Sequence, residues 1–130
     1  MAQTVQNYRD LVVWQKAMQL AVDVYRVTRD FPDGERFGLT TQLQRAVVSV
    51  ASNIAEGQGR NTTPDFVRCL GIAKGSLQEV QTQLELSCRL AYLDTRRHMQ
   101  LDACTEEVFR LLNGLIRSLS TVHCPPPTES

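Results

Sequence analysis

QLQRAVVSVASNIAEGQGR, residues 42–60, decides the fold. Leu43, Val47, Val50 and Ile54 recur every three or four positions, which is the apolar stripe of an amphipathic helix. Beside that stripe stand Ser49, Ala51, Ser52, Asn53, Ala55 and Gly57, too small or too polar for a bulky core. Small side chains let a neighbouring helix come close, because helix packing is set by the side chains at the contact. A second cluster, Gly71, Ala73, Gly75 and Ser76, lies downstream inside another helical run. A glycine in a helix interior costs about 1 kcal/mol relative to alanine. Two such costs one turn apart, at Gly71 and Gly75, predict a tight contact between the two segments.

Working outward, the upstream run carries two apolar series. Leu11, Trp14, Met18, Ala21, Tyr25 and Thr28 form one; Val13, Ala17, Leu20, Val24 and Val27 form the other. Asp10 is the expected cap and Pro32 the stop. Pro32, Gly34 and Gly38 mark a loop, and Thr41 with Gln44 reads as a capping box for the second helix. Gly57, Gly59 and Asn61 are expected to end it. Thr62, Thr63, Pro64 and Asp65 start a third helix with the seam Phe66, Leu70, Ala73, Leu77, Val80, Leu84 and Cys88. Asp94 and Thr95 restart the chain into a fourth, with Glu106 and Arg110 at pairing distance and Pro125, Pro126 and Pro127 beyond its end. Helices are therefore expected at about 11–30, 39–57, 63–93 and 95–122, with frayed ends at about 1–7 and 124–130. No strand-like alternation occurs, and short loops between long helices favour antiparallel neighbours. The pattern predicts an all-α, single-domain, antiparallel up-down-up-down four-helix bundle spanning 1–130.

Composition narrows the function classes. The chain has 130 residues, 42% hydrophobic and 22% charged, with 14 basic and 14 acidic residues. A balanced charge gives no global field to hold a polyanion, so nucleic-acid affinity would need a local patch. Cys69, Cys88, Cys104 and Cys124 show no CxxC spacing, and buried reduced thiols are the expectation. There is no signal segment or membrane-length apolar run, which predicts a cytoplasmic protein without a membrane partner.

Three segments carry a family resemblance: NYRDLVVWQKAMQLAVDVY, FPDGERFGLTTQLQRAVVSVASNIAEG and FVRCLGIAKGSLQEVQTQLELSCRLAYL. Telling positions are Arg9, Asp10, Leu11, Val13 and Trp14; Phe31 and Pro32; Asn53 to Gly57; and Gly75, Ser76 and Leu77. Over about residues 8–120 the chain resembles the bacterial four-helix-bundle proteins encoded in intervening sequences of the 23S rRNA gene. The accessory variability determinant of diversity-generating retroelements belongs to the same superfamily. Many relatives have proline before the Ser-Asn-Ile-Ala-Glu-Gly run where this chain has Ala51, so a straighter second helix is expected. The resemblance implies a closed homopentamer around a central channel. It also brings a retroelement branch that binds nucleic acid and a reverse transcriptase, a role served by a basic surface that this near-neutral chain lacks.

No residue set points to catalysis. His98 and His123 lack partners at zinc spacing, the serines lack a nucleophile elbow, and GQGR at 57–60 lacks the strand and lysine of a phosphate loop. No cofactor, metal or small-molecule substrate is indicated, and a non-enzyme is expected. Asn53 and Glu56 share a helix face; Asn53 is expected to bond the third helix, and Glu56 to pair with Arg45 or Arg60. Lys74 and Glu79 suit a solvated or inter-subunit ion pair. Asn53 and Glu56, with Gly57, Gly71, Gly75 and Ser76, make up the motif residues. Arg45, Arg60, Arg68 and Lys74, joined by Arg96 and Arg97, are the candidates for binding RNA or DNA. The first helix has one apolar seam more than a lone bundle needs, so Val13, Trp14, Met18, Leu20, Val24 and Tyr25 are candidates for an oligomer interface. The expectation is an oligomeric scaffold, with an RNA- or DNA-binding accessory factor as the alternative.

Overall fold

A computed structural model describes residues 7–123, with side chains through Ser120. Four helices carry the chain: α1 Val12–Thr28, α2 Leu39–Gln58, α3 Thr63–Arg89 and α4 Thr95–His123. Two short 3-10 turns, Tyr8–Asp10 and Asp33–Glu35, precede α1 and α2. No strand occurs among the described residues. Of the frayed ends expected at about 1–7 and 124–130, residues 1–6 and 124–130 lie outside them, and Asn7 is ordered as the cap of the first turn.

The helices contact in a closed square: α1 with α2 and α4, and α3 with α2 and α4, without a diagonal contact. Their direction is read from the bonds between them. Along α2, Gln42, Ser49 and Gly57 meet Gln83, Ser76 and Cys69 of α3 in falling order. Likewise Lys16 and Asp30 meet Glu107 and Arg97. Neighbouring helices are antiparallel, as in a four-helix bundle.

The core is predominantly apolar. Leu20, Val24, Leu43, Val47, Val50, Ile54, Leu70, Leu77, Val80, Leu84, Val108 and Leu112 are fully buried. Each such side chain contributes about 1.5–3 kcal/mol on burial. Those of α1, α2 and α3 belong to the seams read from sequence; α1, which has two, buries that of Val13, Ala17, Leu20 and Val24 and leaves Met18 and Tyr25 of the other exposed.

Helix ends depart from expectation. Asp10 does not cap α1; Leu11 is its N-cap without a side-chain bond, while Asn7 accepts from the Arg9 N–H to cap the preceding turn. Thr41 and Gln44 form no capping box, because α2 begins earlier, at Leu39. The Glu35 carboxylate takes the Leu39 N–H instead, Thr41 donates to the Arg36 carbonyl, and Gln44 donates to Thr28 Oγ1 across to α1. Gly57 lies inside α2, whose C-cap is Gly59. Helix α2 runs unbroken through the buried Ala51. Helix α3 stops at Arg89 rather than near Leu93. There the Tyr92 N–H bonds the Ser87 carbonyl and the Ala91 N–H bonds the Cys88 carbonyl, a Schellman closure with Ala91 at φ 64°.

Candidate functional site

The groove between α2 and α3 carries a run of polar side chains along both of its edges. On α2, Gln42, Arg45, Ser49 and Asn53 follow one edge; on α3, Ser76, Glu79 and Gln83 follow the facing edge at helical spacing. Ser49 and Ser76 hydroxyls bond each other at 2.8 Å. Asn53 Nδ2 donates to the Ser49 carbonyl at 2.9 Å and to Ser49 Oγ at 3.0 Å. Asn53 therefore does not cross to α3 as expected; it holds Ser49, and Ser49 makes the crossing. Two turns along, Gln83 Nε2 donates to Gln42 Oε1 at 3.4 Å and Glu79 Oε2 at 3.2 Å. Gln83 is buried, and its Oε1 has no partner. Gln42, Arg45, Ala46, Ser49, Ser76 and Glu79 line an open hollow of about 360 Å³.

The tight approach of the two helices sits at the far end of this edge. A Cβ on Gly57 would lie 2.8 Å from Cys69 Cβ and 2.9 Å from Phe66 Cδ1. Gly71 and Gly75 are exposed, and a Cβ on either would meet nothing within 4 Å. The sequence expectation for that pair is overturned: α3 turns Cys69, Ala73, Ser76 and Leu77 inward, and the two glycines fall on its outer side.

The basic candidates are dispersed. Arg60, one of the two arginines expected to pair with Glu56, does so. The Cys69 thiol, and then the Glu56 carboxylate, raise its pKa further above the ordinary value. Arg68 lies 4.0 Å from Asp65, also at the α2–α3 turn. Arg97 sits at the opposite end, between Asp30 at 3.3 Å and Asp94 at 3.7 Å. Lys74 stands seven residues before Gln81, on the face turned towards α4, and does not pair with Glu79. Arg45 is the one cation of the set inside the groove. Glu106 does not pair with Arg110: it accepts from Gln81 at 2.7 Å, while Arg110 reaches Glu107 at 3.8 Å.

The interface candidates divide. Val13, Leu20 and Val24 belong to the bundle's own core and are not available to a partner. Trp14 is half-buried against that core, with Tyr8 edge-on to its ring. Met18 and Tyr25 stay 40% and 43% exposed, as does Val22 at 41%, a residue that seam counting passed over. Met18, Ala21, Val22, Tyr25, Arg26 and Arg29 line a shallow surface hollow.

Cys69 is buried and Cys88 half-buried, but Cys104 is exposed; all three are free thiols, and Cys124 lies outside the described residues. Desolvation, then Asp23 and Glu107, push the Cys104 thiol pKa up, away from the reactive thiolate. His98 faces Glu85 at 3.7 Å. The Arg89 guanidinium bonded to Glu85 holds that carboxyl below its ordinary value. Among the described residues no three His, Cys, Asp or Glu converge as a metal site, and no helix is long and apolar enough to cross a membrane.

Sequence reading passed over Gln42 and Gln83 and placed Arg45 and Glu79 elsewhere. The signal was the polar spacing of 42, 49 and 53 on one helix and 76, 79 and 83 on the next, which marks facing edges only once the helices are known to be antiparallel neighbours.

Comparison with known proteins agrees with this architecture. A solved structure of a protein of unknown function from the S23 ribosomal protein family of Bacteroides thetaiotaomicron superposes with a TM-score of 0.74 at 26% identity. The match covers 82% of this chain and 99% of that one. No curated protein matches the chain. The family model of the 23S rRNA-intervening sequence proteins matches residues 9–114, and the chain belongs to that family.

Proposed function

We propose that this protein is a non-catalytic, self-assembling scaffold, a bundle whose outer α1 face is covered by another copy of itself. The observation that carries this reading is the apolar strip Met18, Val22 and Tyr25 on the solvent side of α1. It comes in addition to the Val13, Ala17, Leu20 and Val24 seam that already fills the bundle's own core. Soluble monomers rarely keep a contiguous apolar strip in water. Val48 of α2 is 42% exposed and, by helical register, lies on the α1 side, which widens the strip. A strip of this kind, docked on a different surface of the next copy, makes a heterologous contact that closes into a ring when the rotation allows. The family resemblance puts the number at five.

Sedimentation equilibrium tests the reading. The expected result is a single species several times the 14.6 kDa chain mass; a monomer at micromolar concentration would refute assembly, and a dimer would refute the ring. The alternative, an RNA- or DNA-binding accessory factor, draws on Arg45, Arg60, Arg68 and Lys74. Their dispersal, and the carboxylates that pair with Arg60 and Arg68, weigh against it. Fluorescence anisotropy with single-stranded and duplex RNA and DNA is expected to show no salt-sensitive binding.

A further inference from the structure

Arg45 and Glu79 line one hollow yet do not pair with each other. Among the described residues Arg45 has no ion-pair or hydrogen-bond partner. Glu79 accepts from Gln83 through Oε2, and its other oxygen is uncommitted. One turn along the groove from both stand the Ser49 and Ser76 hydroxyls. Two hydroxyls carry two hydrogens, and their mutual bond uses one. Asn53 occupies Ser49 as a donor, so it uses neither hydrogen. One hydroxyl donor is therefore left over beside Arg45, together with the Gln42 amide N–H, whose own oxygen is taken by Gln83.

The hollow thus presents anion-binding donors on the α2 side and a carboxylate acceptor on the α3 side. A polyanion suits Arg45 but is repelled by Glu79, and a simple cation meets the reverse. A molecule carrying both charges satisfies both walls. We propose that this groove binds a small zwitterion of the amino-acid class, its carboxylate on Arg45 and the spare hydroxyl, and its ammonium on the free oxygen of Glu79. The hollow, about 360 Å³, is at the small end of ligand sites, which run to roughly 1,000 Å³. The site lies on the α2–α3 side, away from the α1 strip invoked for self-assembly, so either reading can fail without the other.

Amide-resolved NMR of the full chain, titrated with each standard L-amino acid and with acetate and methylamine as one-charge probes, tests the assignment. At least one amino acid is expected to shift residues 42–49 and 76–83 with saturation in the millimolar range, while neither one-charge probe does. Arg45→Gln and Glu79→Gln, each shown to be folded by circular dichroism, should weaken that binding at least about tenfold, as losing a charged hydrogen bond does. Arg96→Gln, an exposed site outside the groove, should leave it unchanged. The proposal is overturned if no amino acid shifts these residues, if acetate or methylamine binds as tightly, or if either groove variant binds like the parent. It is equally overturned if the same residues respond only to an oligonucleotide, or if Arg45→Gln dissolves the assembly and leaves amino-acid binding intact.

Discussion

Gly57 and Gly75 are both helical glycines, and their surroundings call for opposite outcomes on substitution. Gly57 has no room for a methyl group beside Cys69 and Phe66, so Gly57→Ala forces α2 and α3 apart and should cost about 1–3 kcal/mol. Gly75 faces open space, so Gly75→Ala removes a helix-breaking residue and should stabilise the chain by up to about 1 kcal/mol. Thermal melts of the two variants moving the same way would refute the placement of the contact. The sequence showed the energetic anomaly at Gly71 and Gly75 but not its direction. Each precedes a buried residue, Ala73 or Leu77, by two positions, about 200° round a helix, so the register already pointed them outward. Ala91 is the converse case, a non-glycine held at φ 64° by the Schellman bonds. Ala91→Gly removes the clash of Cβ with its own backbone and should raise stability by about 1 kcal/mol in denaturant titration.

Elements are tied at their ends by bonds that apolar periodicity does not encode. Glu35, in the turn before α2, accepts the Leu39 N–H with one oxygen and the Tyr92 hydroxyl at 2.9 Å with the other, joining the start of α2 to the α3–α4 connection. That bond raises the Tyr92 phenol above its ordinary value, with desolvation adding to the effect. A pKa raised on folding means that the contribution is fully present below the unfolded tyrosine value, about 10, and is lost as pH rises through the folded value. Tyr92→Phe should therefore lower the melting temperature at neutral pH, and the gap to the parent should close in strongly alkaline buffer; a gap independent of pH would sink this account. Gln81 behaves similarly. Half-buried on α3, it reaches Glu106 at 2.7 Å and Asp102 at 3.5 Å on α4. Gln81→Leu should cost about 0.5–1.5 kcal/mol, the usual worth of such bonds, measured by urea unfolding. The helices themselves were legible because fully buried seams repeat without a break. Their caps were not, because Glu35 and Tyr92 are 57 residues apart and meet only through the fold.

At the scale of the whole molecule, the sequence disclosed that α1 has more apolar surface than one bundle can bury, but not which seam goes inward. Val13, Leu20 and Val24 differ little in character from Met18, Val22 and Tyr25. The choice is made by α2 and α4, whose positions fix which side of α1 is enclosed. Val24 is fully buried and Val22, two residues away, is 41% exposed, so the pair separates folding from assembly. Val24→Glu puts a carboxyl into the apolar core without a partner, a burial that costs several kcal/mol, and should unfold the chain outright. Val22→Glu leaves the bundle's own core untouched. It places a charge in the strip that we propose another copy covers, where an unpaired charge opposes association. Circular dichroism should report an unchanged helical melt for Val22→Glu at low concentration, while sedimentation equilibrium reports a monomer of the chain's own mass. A Val22→Glu protein that sediments like the parent would remove α1 from the interface. One that loses its helices would show that Val22 serves the fold, and the apolar strip would then support no assembly.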